Sequence, residues 1–355
     1  MTSRERVLTA LSHKKPDIIP FSLGFGINRP AKRALAEYMK TDMRELDRIL
    51  LSFTDIRSVR PKYIGPNERN KSLPDGSYVD AWGVRRSTVN NEKDIYMEIS
   101  EYPLANLTNT DELENYMFPS IDWYDFSVIP EQIEEIAKSG EYAIMASGGN
   151  IFETSWYMRG LENMFVDLLA EKEFAHKLLC IVTDFFVSFT SRMLEAANGK
   201  IDLIFTADDI GAQNGLLISL PLWEEMLKPH HKRLNKTIHE YGAKVIYHSD
   251  GAVMQAVDGL IDMGIDVLEA LQFDAAGMDP VELKEIAGDR LSFHGGVSVQ
   301  STLPYGTPEE VEAEVVERIK VLGKNGGYIL APSHAIQAGT PPENIYAFLK
   351  MTGRL

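Results

Sequence analysis

The sequence contains very little cysteine and no long apolar run. Cys180 is the only cysteine in the 355 residues, so no disulfide can form within the chain and no thiolate cluster can bind a metal. Cys180 lies at helical spacing among apolar residues, which predicts a core thiol rather than a nucleophile. No run reaches the roughly 18 apolar residues of a membrane-spanning helix. The first residues contain no apolar signal core, so we expect a cytoplasmic protein.

Positive charge is also scarce. Lysine and arginine total 36 against 52 aspartates and glutamates, which gives a net charge of −16. Nucleic acids and anionic membranes both require basic patches, so neither is an expected partner. Hydrophobic residues make up 44% of the chain, which is enough for a large core. The composition is typical of a metabolic enzyme.

Short apolar runs rich in β-forming residues alternate with long amphipathic helical patterns. Eight runs predict strands: residues 18–24, 55–59, 142–148, 201–207, 244–249, 265–271, 291–296 and 327–332. Eight strands alternating with helices favour a closed parallel (β/α)8 barrel, with an open doubly wound sheet as the alternative. Residues 60–140 are richer in turns and predict an insertion over the barrel mouth, with a hairpin over 82–99. We expect residues 1–355 to form a single domain.

Polar side chains lie at or shortly after the ends of five consecutive predicted strands. The carboxyl ends of barrel strands meet at one face, where barrel enzymes carry their chemistry. Asp and Gln often end strands because they form turns, which accounts for single residues but poorly for the whole set. The set comprises Asp208, Asp209, Gln213, His248, Asp250, Glu269, Gln272, His294, His334 and Gln337.

The segment YHSDG, residues 247–251, carries the most chemistry. His248 and Asp250 point to the same side if the strand continues through them. With Glu269 and His334 they form a plausible set of four zinc ligands. A metal-free His–Asp pair, acting as a general base or a substrate anchor, is an equally open interpretation.

Two neighbouring pairs have simpler interpretations. One of Asp208 and Asp209 could cap the following helix while the other faces the pocket. His230 and His231 lie in a charged helical stretch and are expected to be solvated. Trp82 is expected either to line the pocket or to pack in the core.

The segments that contain these residues resemble the uroporphyrinogen decarboxylase superfamily. The resemblance covers nearly the whole chain and is strongest in RERVLTALSHKKPDIIPF, TADDIGAQNGLLISLPLWEEMLKPHHKRL, YHSDG, GGVSVQSTLPYGTPEEVEAEV and GGYILAPSHAIQAGTPPENIYAF. It implies a (β/α)8 barrel. One branch of the superfamily decarboxylates uroporphyrinogen without a metal, using an arginine-rich N-terminal signature. The stretch PFSLGFGINRPAKRAL lacks that signature, and its Arg29 and Arg33 do not match the pattern.

The other branch of the superfamily contains methyltransferases that exchange methyl groups with a corrinoid protein. Some of them bind zinc through His-x-Cys and a later Cys. His248 matches the histidine, while Asp250 and His334 stand at the positions of the two cysteines. Glu269 corresponds to a zinc-site glutamate of the similar cobalamin-independent methionine synthase. The resemblance therefore implies a harder zinc site that would polarise an oxygen.

We therefore expect an enzyme that moves a methyl group from a small O-methyl or N-methyl compound to a separate corrinoid protein, assisted by zinc. A homodimer is also expected. The alternatives are a metal-free decarboxylase or lyase that uses His334 and Asp208, and a non-catalytic protein that binds a tetrapyrrole or corrinoid. The expected catalytic residues are His248, Asp250 and His334, which with Glu269 would bind zinc or act as acids and hydrogen-bond donors. The expected substrate contacts are Asp208, Asp209, Gln213, Gln272, His294 and Gln337.

Overall fold

The structure is a computed structural model that describes residues 1–90 and 95–354. Its strands, numbered along the chain, are β1 Ile56–Ser58, β2 Lys62–Tyr63, β3 Lys71–Ser72, β4 Tyr78–Val79, β5 Arg85–Asn90, β6 Ile95–Glu101, β7 Tyr124–Asp125, β8 Ala143–Asn150, β9 Leu203–Ala207, β10 Gly211–Ala212, β11 Gly215–Leu216, β12 Lys244–His248, β13 Val267–Glu269, β14 Ser292–Val297 and β15 Tyr328–Pro332.

The α-helices are numbered in the same way. They are α1 Ser3–Leu11, α2 Arg29–Tyr38, α3 Met43–Phe53, α4 Thr110–Glu114, α5 Ile129–Ala137, α6 Ile151–Arg159, α7 Leu161–Ala170, α8 Lys172–Ala197, α9 Leu220–Met226, α10 Lys228–Glu240, α11 Val257–Met263, α12 Pro280–Ala287, α13 Thr302–Tyr305, α14 Pro308–Leu322 and α15 Pro342–Lys350. Short 3-10 helices cover Ile121–Trp123 and Met254–Ala256.

Seven parallel strands form the main sheet, in the order β1-β8-β9-β12-β13-β14-β15. The sheet curls into an α/β barrel of the TIM type, as the alternating pattern predicted. Its strands read as continuous apolar runs because both faces are covered, by helices outside and by side chains inside. In β12, for example, the four residues from Val245 to His248 are all buried.

The predicted strand at residues 18–24 is the exception. It forms only an isolated bridge, between Phe21 and Leu330 of β15. The backbone of Phe21 also accepts a hydrogen bond from Asp55 N, next to β1, so this segment still closes the gap between the last and the first strand. Pro20 has no N–H to donate and Gly24 has a positive φ of 54°, which interrupt a regular strand.

The barrel interior is filled at its amino end by a compact apolar cluster. One residue from each of six strands contributes, together with two residues of α1, which packs across the bottom of the barrel. These residues are Val7, Leu11, Ile56, Ala143, Leu203, Ile246, Val267 and Ile329. Because this cluster fills the lower half of the barrel interior, the cavity inside the barrel lies towards the carboxyl ends of the strands.

The region between β1 and β8 forms the predicted insertion. It contains the four-stranded sheet β3-β4-β5-β6 and the pair β2-β7. Antiparallel β5 and β6 confirm the predicted hairpin, apart from residues 91–94, which lie outside the described residues. Trp82 is buried against Phe185 and Phe186 of α8, so of its two expected roles the structure shows packing in the core. Within the described ranges, no helix is long and apolar enough to cross a membrane.

Candidate active site

The carboxyl ends of β12 and β13 bring two titratable side chains into contact. His248 and Glu269 are the last residues of these strands and lie opposite each other in the parallel register. His248 Nδ1 donates a hydrogen bond of 2.5 Å to Glu269 Oε2. Both residues are buried, at 5% and 1% exposure. Glu269 therefore fixes the orientation of the imidazole and keeps a proton on its Nδ1.

This contact sets the protonation of both groups. Burial alone would disfavour the charged forms, but it is outweighed by the mutual attraction and the hydrogen bond. The pKa of His248 is raised to about 9 and the pKa of Glu269 is lowered to about 2. At neutral pH the pair is an imidazolium and a carboxylate unless another cation binds in place of the proton.

A three-residue cluster lies at the mouth in front of this pair. His248, Asp250 and His334 each offer a ligand atom within 4.8 Å of the others. Asp250 is 4.0 Å from the Nε2 atoms of both histidines, too far for hydrogen bonds. This mouth cluster is therefore a gap lined by two imidazoles and a carboxylate, with the size and donors that a small cation requires.

Neighbouring residues hold Asp250 in position. The backbone N–H of Asp250 donates to Asp209 Oδ1 at 2.7 Å, and the N–H of Gly251 donates to Gln272 Oε1 at 2.8 Å. Gly251 has a φ of 83°, and a Cβ there would lie 2.6 Å from the Gly211 carbonyl carbon. The turn thus requires the glycine of YHSDG. Asp209 and Gln272 stabilise the same turn, which carries Asp250, by accepting hydrogen bonds from its backbone.

Asp208 was expected to contact the substrate, but its side chain is buried beneath the N-terminus of α6. Its carboxylate accepts hydrogen bonds of 2.7 Å from the N–H groups of Phe152 and Glu153, and it also contacts His231 Nε2. At 1% exposure it is closed to a ligand. One aspartate of the pair does stabilise a helix N-terminus, but the helix is α6, which follows β8, and not the helix after Asp208 itself.

The prediction that His230 and His231 are solvated is wrong. They are 7% and 1% exposed. The His231 ring packs edge-on against Tyr247, with ring centroids 5.2 Å apart. Charged neighbours in the sequence occupy the outer face of α10, while these two histidines lie on the face that packs against the rest of the barrel.

The remaining predicted substrate contacts lie at different depths. His294 is buried, and its Nδ1 lies 3.7 Å from Glu269 Oε1. Gln213 is exposed and donates to the Asp274 carbonyl at 2.6 Å. Gln337 is also exposed and accepts from Asn28 at 3.2 Å. The two glutamines connect loops of the rim, and their contact with a substrate stays a prediction.

A cavity of about 120 Å³ opens beside the mouth cluster. Its walls are mostly apolar, and the Phe25 ring packs against both His248 and His334, with centroids 4.9 and 4.8 Å apart. The lining comprises Ser22, Gly24, Phe25, Ile56, Met145, Phe205, Ile246, Glu269 and His294. Phe25 was missed by the sequence reasoning because an isolated aromatic residue in a loop carries no signal of its own.

Glu153 was also missed. It is 8% exposed and accepts hydrogen bonds from Tyr157 and Asn150. Burial, with the charges of Asp208 and Asp209, raises its pKa to about 7. Its position just after β8 is the signal that could have identified it, since β8 lies next to β9, the strand that precedes Asp208.

Fold and site together define an α/β barrel whose mouth is rich in carboxylates and imidazoles. Residues 87–355, more than half of the chain, match the family described as Uroporphyrinogen decarboxylase (URO-D). The chain belongs to this family. The resemblance inferred from its segments is thereby confirmed.

Individual relatives favour one branch of the family. A methylated-thiol–coenzyme M methyltransferase of Methanosarcina mazei is 30% identical over 200 residues, 56% of this chain and 50% of the relative. A methylcobamide:CoM methyltransferase of Methanosarcina barkeri is 27% identical over 202 residues, 54% of this chain and 55% of the relative. This chain thus spans about half the length of these curated relatives.

The chain is also similar to a decarboxylase and to a solved methyltransferase structure. A uroporphyrinogen decarboxylase of Pseudoalteromonas translucida is 22% identical over 266 residues, 70% of this chain and 69% of the relative. A solved methyltransferase structure from Methanosarcina mazei superposes with a TM-score of 0.72 at 18% identity, covering 99% of this chain and 98% of the other. At that identity the likeness shows the shared fold.

Proposed function

We propose that this chain is an enzyme that transfers a methyl group from a small methylated compound to a corrinoid carried by a separate protein. The observation that carries the proposal is the mouth cluster of His248, Asp250 and His334, backed by Glu269. The names of the two methyltransferase relatives support the reaction class. An O-methyl or N-methyl compound is the proposed methyl donor.

The mouth cluster fits a zinc ion. Two imidazoles and a carboxylate are ordinary zinc ligands, and they leave a fourth position open for a substrate. Glu269 occupies the place of the carboxylate that typically orients a zinc-binding histidine through its second nitrogen. Glu269 was expected as a fourth ligand, but its Oε2 is engaged by His248 Nδ1 and it is not part of the cluster. Zinc bound here would act as a Lewis acid towards an oxygen or nitrogen of the substrate.

Residues of the chain itself would position the methylated substrate and exclude water from it. The apolar cavity beside Phe25, Met145 and Phe205 suits a small methylated group, since burying each methyl there is worth about 0.8 kcal/mol. Asp209 and Gln272 hold the turn that presents Asp250. His334 is 39% exposed and lies on the open side, where the substrate and the corrinoid must meet.

The first test combines metal content with methyl transfer. Wild type and His248→Ala are purified, and zinc per chain is measured beside the methylation of cob(I)alamin by a panel of small methylated compounds. We expect zinc at the mouth and a loss of at least about 100-fold in rate for His248→Ala, within the range typical of an essential catalytic group. His239→Ala is the matched control, because this histidine is half-exposed and pairs with Asp266 at the other end of the barrel.

Two outcomes of this test would contradict the proposal. If no candidate compound methylates either the free corrinoid or any corrinoid protein tested, the transfer reaction is wrong. If His248→Ala changes neither the zinc content nor the rate, the mouth cluster is not the site.

The positioning role of Glu269 has its own test. Glu269→Gln removes the charge but keeps an acceptor for His248 Nδ1. We expect a 10–100-fold loss of zinc affinity, as is typical of residues behind a metal ligand, and a lower pKa for His248, followed by NMR in the metal-free protein. A purely structural role for Glu269 would change stability and leave the histidine titration where it was.

A metal-free lyase is the second candidate, and the raised pKa of His248 favours it. An imidazolium held by a buried carboxylate is an oriented proton donor that needs no metal. Release of CO2 from a carboxylated small molecule, without corrinoid and in the presence of a chelator, would replace the methyltransferase proposal with this one.

A further inference from the structure

A second group of metal-binding side chains lies outside the barrel sheet, where helices α8 and α10 pack against each other. His176 and Cys180 come from α8 and His230 comes from α10. Each offers one ligand atom, and these atoms all lie within 4.8 Å of one another. We call this the helix cluster. None of its three residues belongs to the mouth cluster.

The helix geometry explains why two of these residues face the same way. His176 and Cys180 are four residues apart on α8, so they occupy adjacent turns of one helix face. The Cys180 sulfur is 3.6 Å from His176 Nε2. The two side chains are therefore already side by side and need little rearrangement to share an ion.

A hydrogen bond decides which nitrogen of His230 is free. The Thr183 hydroxyl has one proton and donates it to the Leu179 carbonyl at 2.6 Å. It can therefore only accept from His230 Nδ1, which lies 2.9 Å away. This arrangement places the His230 proton on Nδ1 and leaves the lone pair on Nε2, so coordination by His230 would go through Nε2. Orientation of a ligating histidine by a second partner is the usual support of a zinc site.

The three side chains of the helix cluster differ in their exposure to solvent. His230 is 7% exposed, Cys180 is half-buried and His176 is exposed. A metal bound here would thus have three protein ligands, and on the exposed side, near His176, a position open to solvent. Two imidazoles and one thiolate form a nitrogen–sulfur donor set, which selects zinc over magnesium or calcium.

We propose that His176, Cys180 and His230 form a zinc site that joins α8 to α10, independent of the mouth cluster. The ion displaces the proton of the Cys180 thiol and is coordinated by one sulfur, two imidazole nitrogens and one water. This site would add a second zinc per chain to the one proposed at the mouth. It does not depend on the proposed reaction.

The test uses cobalt(II) as a spectroscopic substitute for zinc, added to the metal-free full-length protein. Cys180 is the only cysteine, so a thiolate-to-cobalt charge-transfer band in the near ultraviolet can arise only at the helix cluster. We expect one such band per chain, lost on addition of zinc. Cys180→Ser and His176→Ala should remove or strongly weaken it, whereas His248→Ala should leave it unchanged.

Thr183→Val tests the support of His230 without touching a ligand. We expect the cobalt affinity to fall 10–100-fold. Thr190→Val is the matched control, because Thr190 is a buried threonine of the same helix whose hydroxyl bonds to the Gly148 carbonyl. His176→Ala guards against misfolding, since its side chain is exposed.

The proposal is overturned if the folded wild type shows no charge-transfer band at saturating cobalt. It is equally overturned if His230→Ala binds cobalt with unchanged band and affinity. Loss of the mouth zinc in His248→Ala with an intact band would separate the two sites, so either proposal can fail without the other.

Discussion

The two ends of the barrel both hold buried acidic side chains, but they neutralise them differently. At the amino end, Asp55 is completely buried and receives Arg6 at 2.7 Å, Arg354 at 2.5 Å and the Phe21 N–H at 2.8 Å. Asp202 likewise pairs with Arg4 and accepts the Ile144 N–H. Each of these carboxylates has a permanent cation and a backbone donor.

At the carboxyl end, the carboxylates face histidines and one another. Throughout residues 1–90 and 95–354, no ion pair joins a lysine or arginine to Glu153, Asp208, Asp209, Asp250 or Glu269. Histidine charge can be given up, whereas the arginine charge cannot. The amino end is thus a closed network of arginines and carboxylates, whereas at the mouth the cationic groups that face the carboxylates are histidines.

The largest loss of stability is expected from a substitution at Asp55, in the amino-end network. Asp55→Ala leaves Arg6 and Arg354 without their buried partner, and we expect the free energy of unfolding to fall by about 3–5 kcal/mol. Urea unfolding of the variant and of wild type measures this. Asp289→Ala is the control, since that side chain is 84% exposed, and a change within about 0.5 kcal/mol is expected for it. A small loss for Asp55→Ala would mean that the amino-end network is not what distinguishes the two ends.

A smaller effect, with a distinctive pH dependence, is expected at Glu153. Its pKa is about 7 in the folded protein, above the ordinary value of 4.5, so the folded state holds the proton more tightly than the unfolded state. Stability should therefore fall as pH rises from about 4.5 to 7 and change no further from this group above that range. The full contribution is roughly 3 kcal/mol, from about 1.4 kcal/mol per pKa unit.

Glu153→Gln removes that titration. The difference in the free energy of unfolding between variant and wild type should be smallest near pH 4.5 and should increasingly favour the variant up to pH 7. Chemical denaturation at several pH values measures it. A constant difference across this range would show that Glu153 is ionised in the folded protein and that the mouth tolerates its charge.

The smallest effect on stability is expected at Asp250. Burial raises the pKa of this carboxyl, and the charge of Asp209 adds to the shift against the attraction of His248 and His334. Its ionised form is therefore not a source of stability. Asp250→Asn should change the free energy of unfolding by less than about 1 kcal/mol, in either direction, while weakening metal binding at the mouth. A loss as large as that of Asp55→Ala would erase the contrast between the two ends.

Much of the barrel could be predicted because its strands are buried on both faces and therefore read as continuous apolar runs. Seven of the eight predicted runs became strands of the sheet. The remaining run, residues 18–24, is also apolar but forms only one bridge, since Pro20 and Gly24 interrupt it and its place depends on the separation of β15 and β1. A local pattern cannot report that separation.

The candidate active site was also only partly predictable from the sequence. That His248, Asp250 and His334 would meet could be predicted because each lies at or just after the end of a strand, and parallel strands end at one face. The pairing of His248 with Glu269 depends on the register between β12 and β13, and the burial of His231 depends on which face of α10 packs inward. Neither register nor packing face is encoded within the few residues around each side chain.

The barrel, the family and the group of polar residues at the strand ends could be predicted from the amino-acid sequence, because the spacing of apolar residues and the order of the strands can be read along the chain. The role of each polar group could be assigned only from its neighbours in the folded protein. The fold placed Asp208 under a helix, Glu269 behind His248 and His230 beside Cys180, because contacts between distant segments set the burial and the hydrogen-bond partners of each side chain.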